Sequence, residues 1–266
     1  MTTQGRPHHI MAFHFDKEPP FAMTAPPRPG PLPATSGSEA SSSKHAMALA
    51  VVHHLRDAIV TGQLRPGDRI VERQLSAELN VSRTPVREGL KLLERDGLVS
   101  LSRHRGAEVT GFAPDEALRL FDVIAALEGL AARRLAETIP DQTLAQLEDL
   151  HDKMVFHYNR SQIDPYFGIN SAIHDLIVAA CGNPDLAETH GRLMLRARRG
   201  RYMAIMSPER WRQSVAEHEA LMAALRARDP DAAAQAWTAH LRHTGETLAR
   251  ALSEDASASV ASRATA

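Results

Sequence analysis

Apolar residues first recur with a helical period at Ala48, Val52, Leu55 and Ile59, which predicts a helix running to about Thr61. Gly62 can stop it, and Pro66-Gly67 marks a turn. A second short helix is expected over 72–79, with Leu75 and Leu79 inward and Asn80 ending it in a left-handed conformation. A third is expected over 84–95. Ser82 is its N-cap candidate, Pro85 sits in its first turn where a missing N–H does little harm, and Asp96-Gly97 breaks it. The pattern then changes to two short β-type stretches, Leu98–Ser102 and Ala107–Thr110. The polar turn Arg103-His104-Arg105-Gly106 joins them as a hairpin.

Three helices and a hairpin in this order predict a winged helix-turn-helix over residues 44–110. Residues 111–114 read as a linker. Beyond it six helices are expected, at about 114–137, 141–158, 164–181, 185–205, 207–227 and 231–252. Pro140, Pro165, Gly182-Asn183-Pro184, Ser207-Pro208 and Asp229-Pro230 punctuate them. The first carries a clean stripe of Ala117, Leu120, Phe121, Ile124, Leu127 and Ala131. Short connections make residues 115–253 an antiparallel six-helix bundle, a fold that builds sites from side chains on facing helices. The expected fold is therefore mostly α.

Composition shifts mark the two ends. Eight of the 16 prolines precede residue 34, and residues 36–43 are Ser/Gly-rich, so 1–43 reads as a disordered tail. Met11, Met23 and Met47 are alternative starts within or just after it. Residues 254–266 read as a second, frayed tail. The chain of 266 residues is 43% hydrophobic, enough for a packed core. Its single cysteine, Cys181, excludes an internal disulfide and any CxxC site. No apolar run approaches the ~20 residues needed to span a bilayer, and no secretory signal opens the chain, so a cytoplasmic protein is expected.

Net charge is −1, which argues against binding nucleic acid through bulk charge. Residues 43–112 nevertheless hold 11 Lys/Arg against 8 Asp/Glu, whereas the rest hold 20 against 24. The small positive excess falls where DNA contact is expected. Ser82, Arg83, Thr84 and Arg87 cluster at the start of the third helix, the part of a recognition helix that reaches base edges in the major groove. Arg103, His104 and Arg105 at the hairpin tip are placed for the minor groove or the backbone.

The stretch PGDRIVERQLSAELNVSRTPVREGLKLLERDGLV, followed by RHRGAEV, resembles the DNA-binding domain of the GntR family of bacterial transcription regulators. VSRTPVRE resembles its FadR-type branch. The resemblance implies DNA contacts at Arg73, Arg83, Thr84 and Arg87, and places Gly106 at the turn of the wing. Gly89 departs from the usual Ala, at a helix-propensity cost of about 1 kcal/mol.

Three of the 14 histidines stand out by position. Asn170 and His174 share a helix face at i,i+4. His218 and His240 each lie 11 residues from residue 229, so antiparallel pairing of the last two helices brings them to one height. Three imidazoles and an amide oxygen suit Zn²⁺, Ni²⁺ or a similar divalent ion with open positions. On spacing alone His151, His157, His190 and His243 compete, with His243 the obvious decoy one turn from His240.

Residues 114–252 resemble the FCD domain, the helical effector-binding domain of the FadR subfamily. The resemblance runs through LFDVIAALEGLAARRLAE, NSAIHDLIVAACGNPDL and EHEALMAALRARDPDAAAQAWTAHLRHT. It implies a divalent metal on Asn170, His174, His218 and His240, and six helices imply the VanR-type group. Two positions depart from the pattern. Asn170 replaces a common Asp and attracts a dication less strongly. Ile124 stands where many members carry an arginine that helps hold an acidic effector. Arg192, Arg196, Arg198, Arg199 and Arg201 are candidates to compensate, although helical geometry spreads them over several faces.

The expected function is a dimeric, ligand-responsive transcription regulator, a repressor rather than an enzyme. It would read an inverted repeat with a GT…AC-type core, and a small organic acid in the metal-containing cavity would switch it. One rival is a metal-dependent hydrolase or lyase, for which Glu217 and Glu219 are the available acid/base groups unless they face solvent. The other is a ligand-independent architectural DNA binder with a structural metal.

Overall fold

The computed structural model describes residues 37–102 and 106–264. The expectations for residues 1–36, and for Arg103, His104 and Arg105, therefore lie outside the described residues.

The N-terminal part begins with α1 (Gly37–Val60), followed by β1 (Arg69–Ile70), α2 (Glu72–Glu78) and α3 (Arg83–Arg95). It closes with β2 (Val99–Ser102) and β3 (Gly106–Val109). The three strands form an antiparallel sheet in the order β1-β3-β2. β1 was not anticipated, because two residues are too few to show an alternation. Its role is visible only in the pairing of Arg69 with Glu108 and of Ile70 with Ala107. Gly106 opens β3 at φ 76°, a conformation that glycine adopts without a Cβ clash. Asn80 ends α2 at φ 52°. Val51, Val52, Leu55 and Ile59 of α1 pack with Leu75, Val86, Leu90, Leu93 and the inward residues of the sheet into one small core.

Gly89 has a packing reason that the sequence did not show. A Cβ there would sit 2.9 Å from Val51 Cγ1 and 3.1 Å from the Ala48 carbonyl oxygen. The missing side chain lets α1 and α3 approach closely.

Residues 110–113 connect to a bundle of α4 (Pro114–Thr138), α5 (Asp141–Tyr158), α6 (Ile163–Ala180), α7 (Pro184–Ile205), α8 (Pro208–Ala227) and α9 (Pro230–Ala264). Its boundaries have local chemical causes. Asn183 accepts from the Leu186 N–H at the start of α7, and Ser207 from the Arg210 N–H at the start of α8. Arg228, at φ 52°, ends α8 in a left-handed cap. Asp229 Oδ1 then accepts from the N–H groups of Asp231 and Ala232, at 3.1 and 3.0 Å, and starts α9 in the reverse direction. Phe121, Ile124, Leu135, Tyr166, Ile173, Leu221 and Trp237 are among the residues that fill a second, larger core.

Two ends differ from expectation. α1 begins at Gly37, ahead of Lys44, and α9 runs to Ala264, past Glu254. Extending an existing helix adds a hydrogen bond for each residue fixed, so Ala- and Ser-containing segments without proline continue a helix that their own composition would not nucleate.

Candidate functional site

The recognition surface is built by α2 and α3. Ser82 precedes α3 with extended backbone, and Arg83, Thr84 and Arg87 follow within its first turn and a half. All four are exposed, as is Arg73 on α2. The buried face of α3, with Val86, Leu90 and Leu93, fixes the orientation of this exposed face. Glu72, at the first position of α2, accepts from Arg87 Nε at 2.8 Å. The sequence reading missed this tether, which holds the guanidinium over the junction of the two helices. Ser82 Oγ makes no capping bond, so its hydroxyl is not committed to the helix start. Gly106 lies at the exposed end of the hairpin.

The second site lies inside the bundle. α6, α8 and α9 bring His174, His218 and His240 together, with one potential ligand atom from each lying within 4.8 Å of the others. All three are buried. Asn170, one turn earlier on α6, is also buried, and its Oδ1 has no hydrogen-bond partner among the described residues. The same holds for His174 Nε2 and for both ring nitrogens of His218. Buried polar atoms are normally paired, so this concentration marks a place built to meet a ligand atom. Three converging imidazoles fit a divalent transition ion, and the unpartnered Asn170 amide oxygen one turn from His174 is a donor of the right kind.

Two carboxylates orient the imidazoles from behind. Glu128 on α4 is fully buried and accepts from His174 Nδ1 at 2.5 Å and from His190 Nε2 at 2.9 Å. Glu217 on α8 accepts from His240 Nδ1 at 2.8 Å and from His243 Nδ1 at 2.6 Å. A carboxylate on Nδ1 fixes the tautomer that leaves Nε2 with its lone pair, the arrangement typical of metal-ligating histidines. Trp237 completes the packing. Its ring stacks on His240 at 4.7 Å and 9°, and lies 4.4 Å from His174.

The electrostatics follow from burial. Burial pushes His174 down to about 3 and His240 down to about 4, partly opposed by Glu128 and Glu217 respectively. Burial, then the neighbouring His240 and His174, holds His218 well below the usual imidazole range. These downward shifts favour the neutral imidazole, the form that ligates a metal ion. Burial alone would raise Glu128 and Glu217. The histidine partners override it, together with Arg210 in the case of Glu217, and hold Glu128 well below the carboxylate range and Glu217 at about 2.

Several sequence expectations resolve differently. Glu217 does not face solvent: its carboxylate bridges His240, His243 and Arg210, while Glu219 is exposed. His190 and His243, weighed as competitors of the cluster, sit behind it on the two carboxylates. Ile124 is buried in the core and offers no charge. Among the five α7 arginines, Arg199 and Arg201 are buried. Glu128, Trp237 and Arg210 were missed. Glu128 lies on the apolar stripe of α4, among Ile124, Ala125, Ala131 and Ala132.

An exposed recognition helix beside a wing, joined to a helical bundle with a buried ligand-type cluster, defines a DNA-binding regulator with an effector domain. The sequence profile of bacterial regulatory proteins of the gntR family matches residues 47–109, and that of the FCD domain matches residues 119–243. The HTH-type transcriptional repressor RspR of Escherichia coli is 30% identical over 195 residues, covering 73% of this chain and 85% of the relative. An uncharacterized HTH-type transcriptional regulator of Agrobacterium vitis, from the TAR-I ttuE-ttuC' intergenic region, is 31% identical over 152 residues, covering 56% and 88%. The solved structure of E. coli McbR/YncC shares the fold with a TM-score of 0.68 at 23% identity, covering 77% of this chain and 97% of that one. The chain belongs to the GntR family of bacterial regulatory proteins, with an FCD domain as its C-terminal part. It is a transcription regulator with a DNA-binding and an effector-binding domain, and not an enzyme.

Proposed function

We propose that this chain is a FadR-subfamily, VanR-type repressor that binds an inverted-repeat operator as a homodimer in the cytoplasm. A small organic acid, held in a metal-containing cavity, releases it. The observation that carries the proposal is the convergence of His174, His218 and His240 in the effector domain. Repression is supported by two similar proteins that are themselves repressors by name, RspR and the gluconate operon transcriptional repressor of Bacillus licheniformis, the latter 29% identical over 136 residues. Among the described residues no helix is long and apolar enough to cross a membrane.

On DNA, Arg83 and Arg87 supply bidentate donors for guanine, and Ser82, Thr84 and Arg73 reach bases or phosphates. Gly106 shapes the wing, and the neighbouring Arg103, His104 and Arg105 would contact the adjacent groove or backbone. In the bundle, Asn170, His174, His218 and His240 would hold Zn²⁺ or Ni²⁺. The ion would supply a Lewis-acid attachment point for an anionic ligand group.

A switch requires the ligand to favour one arrangement of the domains over another. Helix α7 touches both domains. His190 hydrogen-bonds Glu128 at the cavity. Further along, Arg199 Nη1 donates to the Leu64 carbonyl of the winged domain at 3.1 Å. Arg196 pairs with Glu116, just beyond the connection at 110–113. Displacement of α7 by a ligand would therefore reach the winged domain through Arg199 and the start of α4 through Arg196.

The test is selection of bound fragments from a random DNA pool by the purified full chain. An enriched inverted repeat is expected, and Arg83→Ala should weaken binding to it by about 1–3 kcal/mol and relax preference at one base position per half-site. Enrichment of no sequence would refute the operator reading.

A further inference from the structure

A second cavity opens where the winged domain meets the bundle, and none of its lining residues belongs to the histidine cluster. It is a cleft of about 900 Å³ between the C-terminal end of α3, the connection at 110–113 and the middle of α7. Among the described residues, Arg95, Arg192, Arg196 and Arg199 line it against two acids, Asp96 and Glu116. Ile59, Leu98 and Leu195 supply apolar wall. Both acids are already engaged, Asp96 with Arg56 at 3.1 Å and Glu116 with Arg196. Arg196 is held across the seam. Its stem lies against Gly97, where a Cβ would sit 3.1 Å from Arg196 Cδ, and its guanidinium carbon lies 5.6 Å from the centre of the Phe112 ring. Arg199 has no such acid. It is 8% exposed, donates from Nη1 to the Leu64 carbonyl at 3.1 Å, and forms no ion pair among the described residues. Burial lowers its basicity, and Asp68 opposes this only in part.

We propose that this cleft between the domains is a second ligand site, which takes a small phosphorylated metabolite with its phosphate on Arg199. A buried guanidinium without a counter-ion is unfavourable, and its planar fork matches phosphate oxygens bidentately. Arg95 adds charge from the winged domain, since its neighbour Asp96, 3.9 Å away, is already taken by Arg56. Four arginines against two acids leave an excess that a phosphate monoester, close to a dianion at neutral pH, neutralises. The cleft is larger than a phosphate alone needs, and its apolar wall suits the carbon part of an ester. The phosphates of DNA are not the occupant. Arg83 starts α3 and the cleft lies at its other end, about 20 Å along the helix axis. Because both domains line the cleft, a ligand there favours this arrangement of the two over any that separates them. The site needs no metal at the histidines, so it stands or falls apart from that reading.

The experiment uses the full chain stripped of metal by a chelator. Inorganic phosphate, ribose 5-phosphate, ribose and malonate are titrated by calorimetry, with Tm followed in parallel, for wild type, Arg199→Met and Arg95→Gln. At least one of the two phosphates should bind wild type and raise its Tm, and ribose should do neither. Arg199→Met should weaken that binding by about tenfold and Arg95→Gln by about threefold. The Arg95 side chain is 77% exposed, so its substitution spares the fold and keeps the test decisive if Arg199→Met melts early. No binding of either phosphate to wild type, or unchanged affinity in Arg95→Gln and in a folded Arg199→Met, would overturn the site. Malonate binding as tightly as the better phosphate would overturn the ligand class.

Discussion

The winged domain and the bundle carry their chemistry in opposite ways. Arg73, Ser82, Arg83, Thr84 and Arg87 lie in the open, solvated, on two short helices adjacent in sequence. His174, His218, His240 and Asn170 lie in the core, on three helices, and among the described residues Asn170, His174 and His218 carry polar atoms without a hydrogen-bond partner. The exposed set can be changed at little cost to folding, because water serves the side chains until DNA arrives. The buried set is part of the stability of the bundle, because each unanswered atom was taken from water and awaits a partner. A substitution at the surface should therefore change binding alone, and one in the cavity should change binding and folding together.

Among single substitutions, the largest expected departure is at Glu128. Glu128→Ala leaves His174 and His190 without their acceptor. Thermal unfolding should show a loss of about 3 kcal/mol, with metal affinity reduced about 10- to 100-fold. An unchanged Tm would remove Glu128 from the supporting set.

Acid should separate the two regions next. The cavity histidines are depressed in the folded, metal-free protein, His240 to about 4 and His174 to about 3. Below pH 6.5 the unfolded chain takes up protons that the folded chain refuses. Stability therefore falls as pH drops below 6.5, the contribution of His240 being lost by about pH 4 and that of His174 by about pH 3. The depressed Glu217 adds a further loss between about 4.5 and 2, in the same direction. Denaturant titrations of the metal-free protein across this range check the slope, and a flat profile would contradict the burial of the cluster.

The surface side is sharpened by comparing Arg87→Ala with Glu72→Gln. The first removes a recognition guanidinium and should cost about 1–3 kcal/mol of operator affinity without moving Tm. The second removes only its tether, an exposed ion pair, and should change stability by less than about 1 kcal/mol. A fall in Tm for Arg87→Ala would show that the surface is not independent of the fold.

The smallest effect is at Gly89. Alanine there gains helix propensity but presses on Val51 and the Ala48 carbonyl. A net loss of about 1 kcal/mol is expected, and Val51→Ala in the same chain should recover part of it. A stabilised Gly89→Ala would mean that α1 can yield.

What the sequence could disclose follows the same division. The helices and hairpin of the winged domain, and the six helices of the bundle, are legible because each is announced by local periodicity and by its own breakers. The recognition residues sit within one short stretch, so a linear reading finds them together. The cavity is different. His218 and His240 were linked through the turn at residue 229, where the Asp229 side chain starts α9, and His174 joined them only through the resemblance to the FCD domain. Glu128 and Trp237 are distant in sequence, and nothing local tells an inward glutamate in an apolar stripe from a tolerated surface charge. Arg201 is one of five nearby arginines, and only packing separates it from the exposed Arg192. β1 and the packing need for Gly89 likewise arise from tertiary contact.

The central claim is that the buried histidines hold a divalent metal ion. Elemental mass spectrometry of purified wild type and His174→Ala tests it most directly. The account predicts a near-stoichiometric divalent metal in wild type that is lost in the variant. No metal in either protein, even after incubation with Zn²⁺ or Ni²⁺, would contradict it.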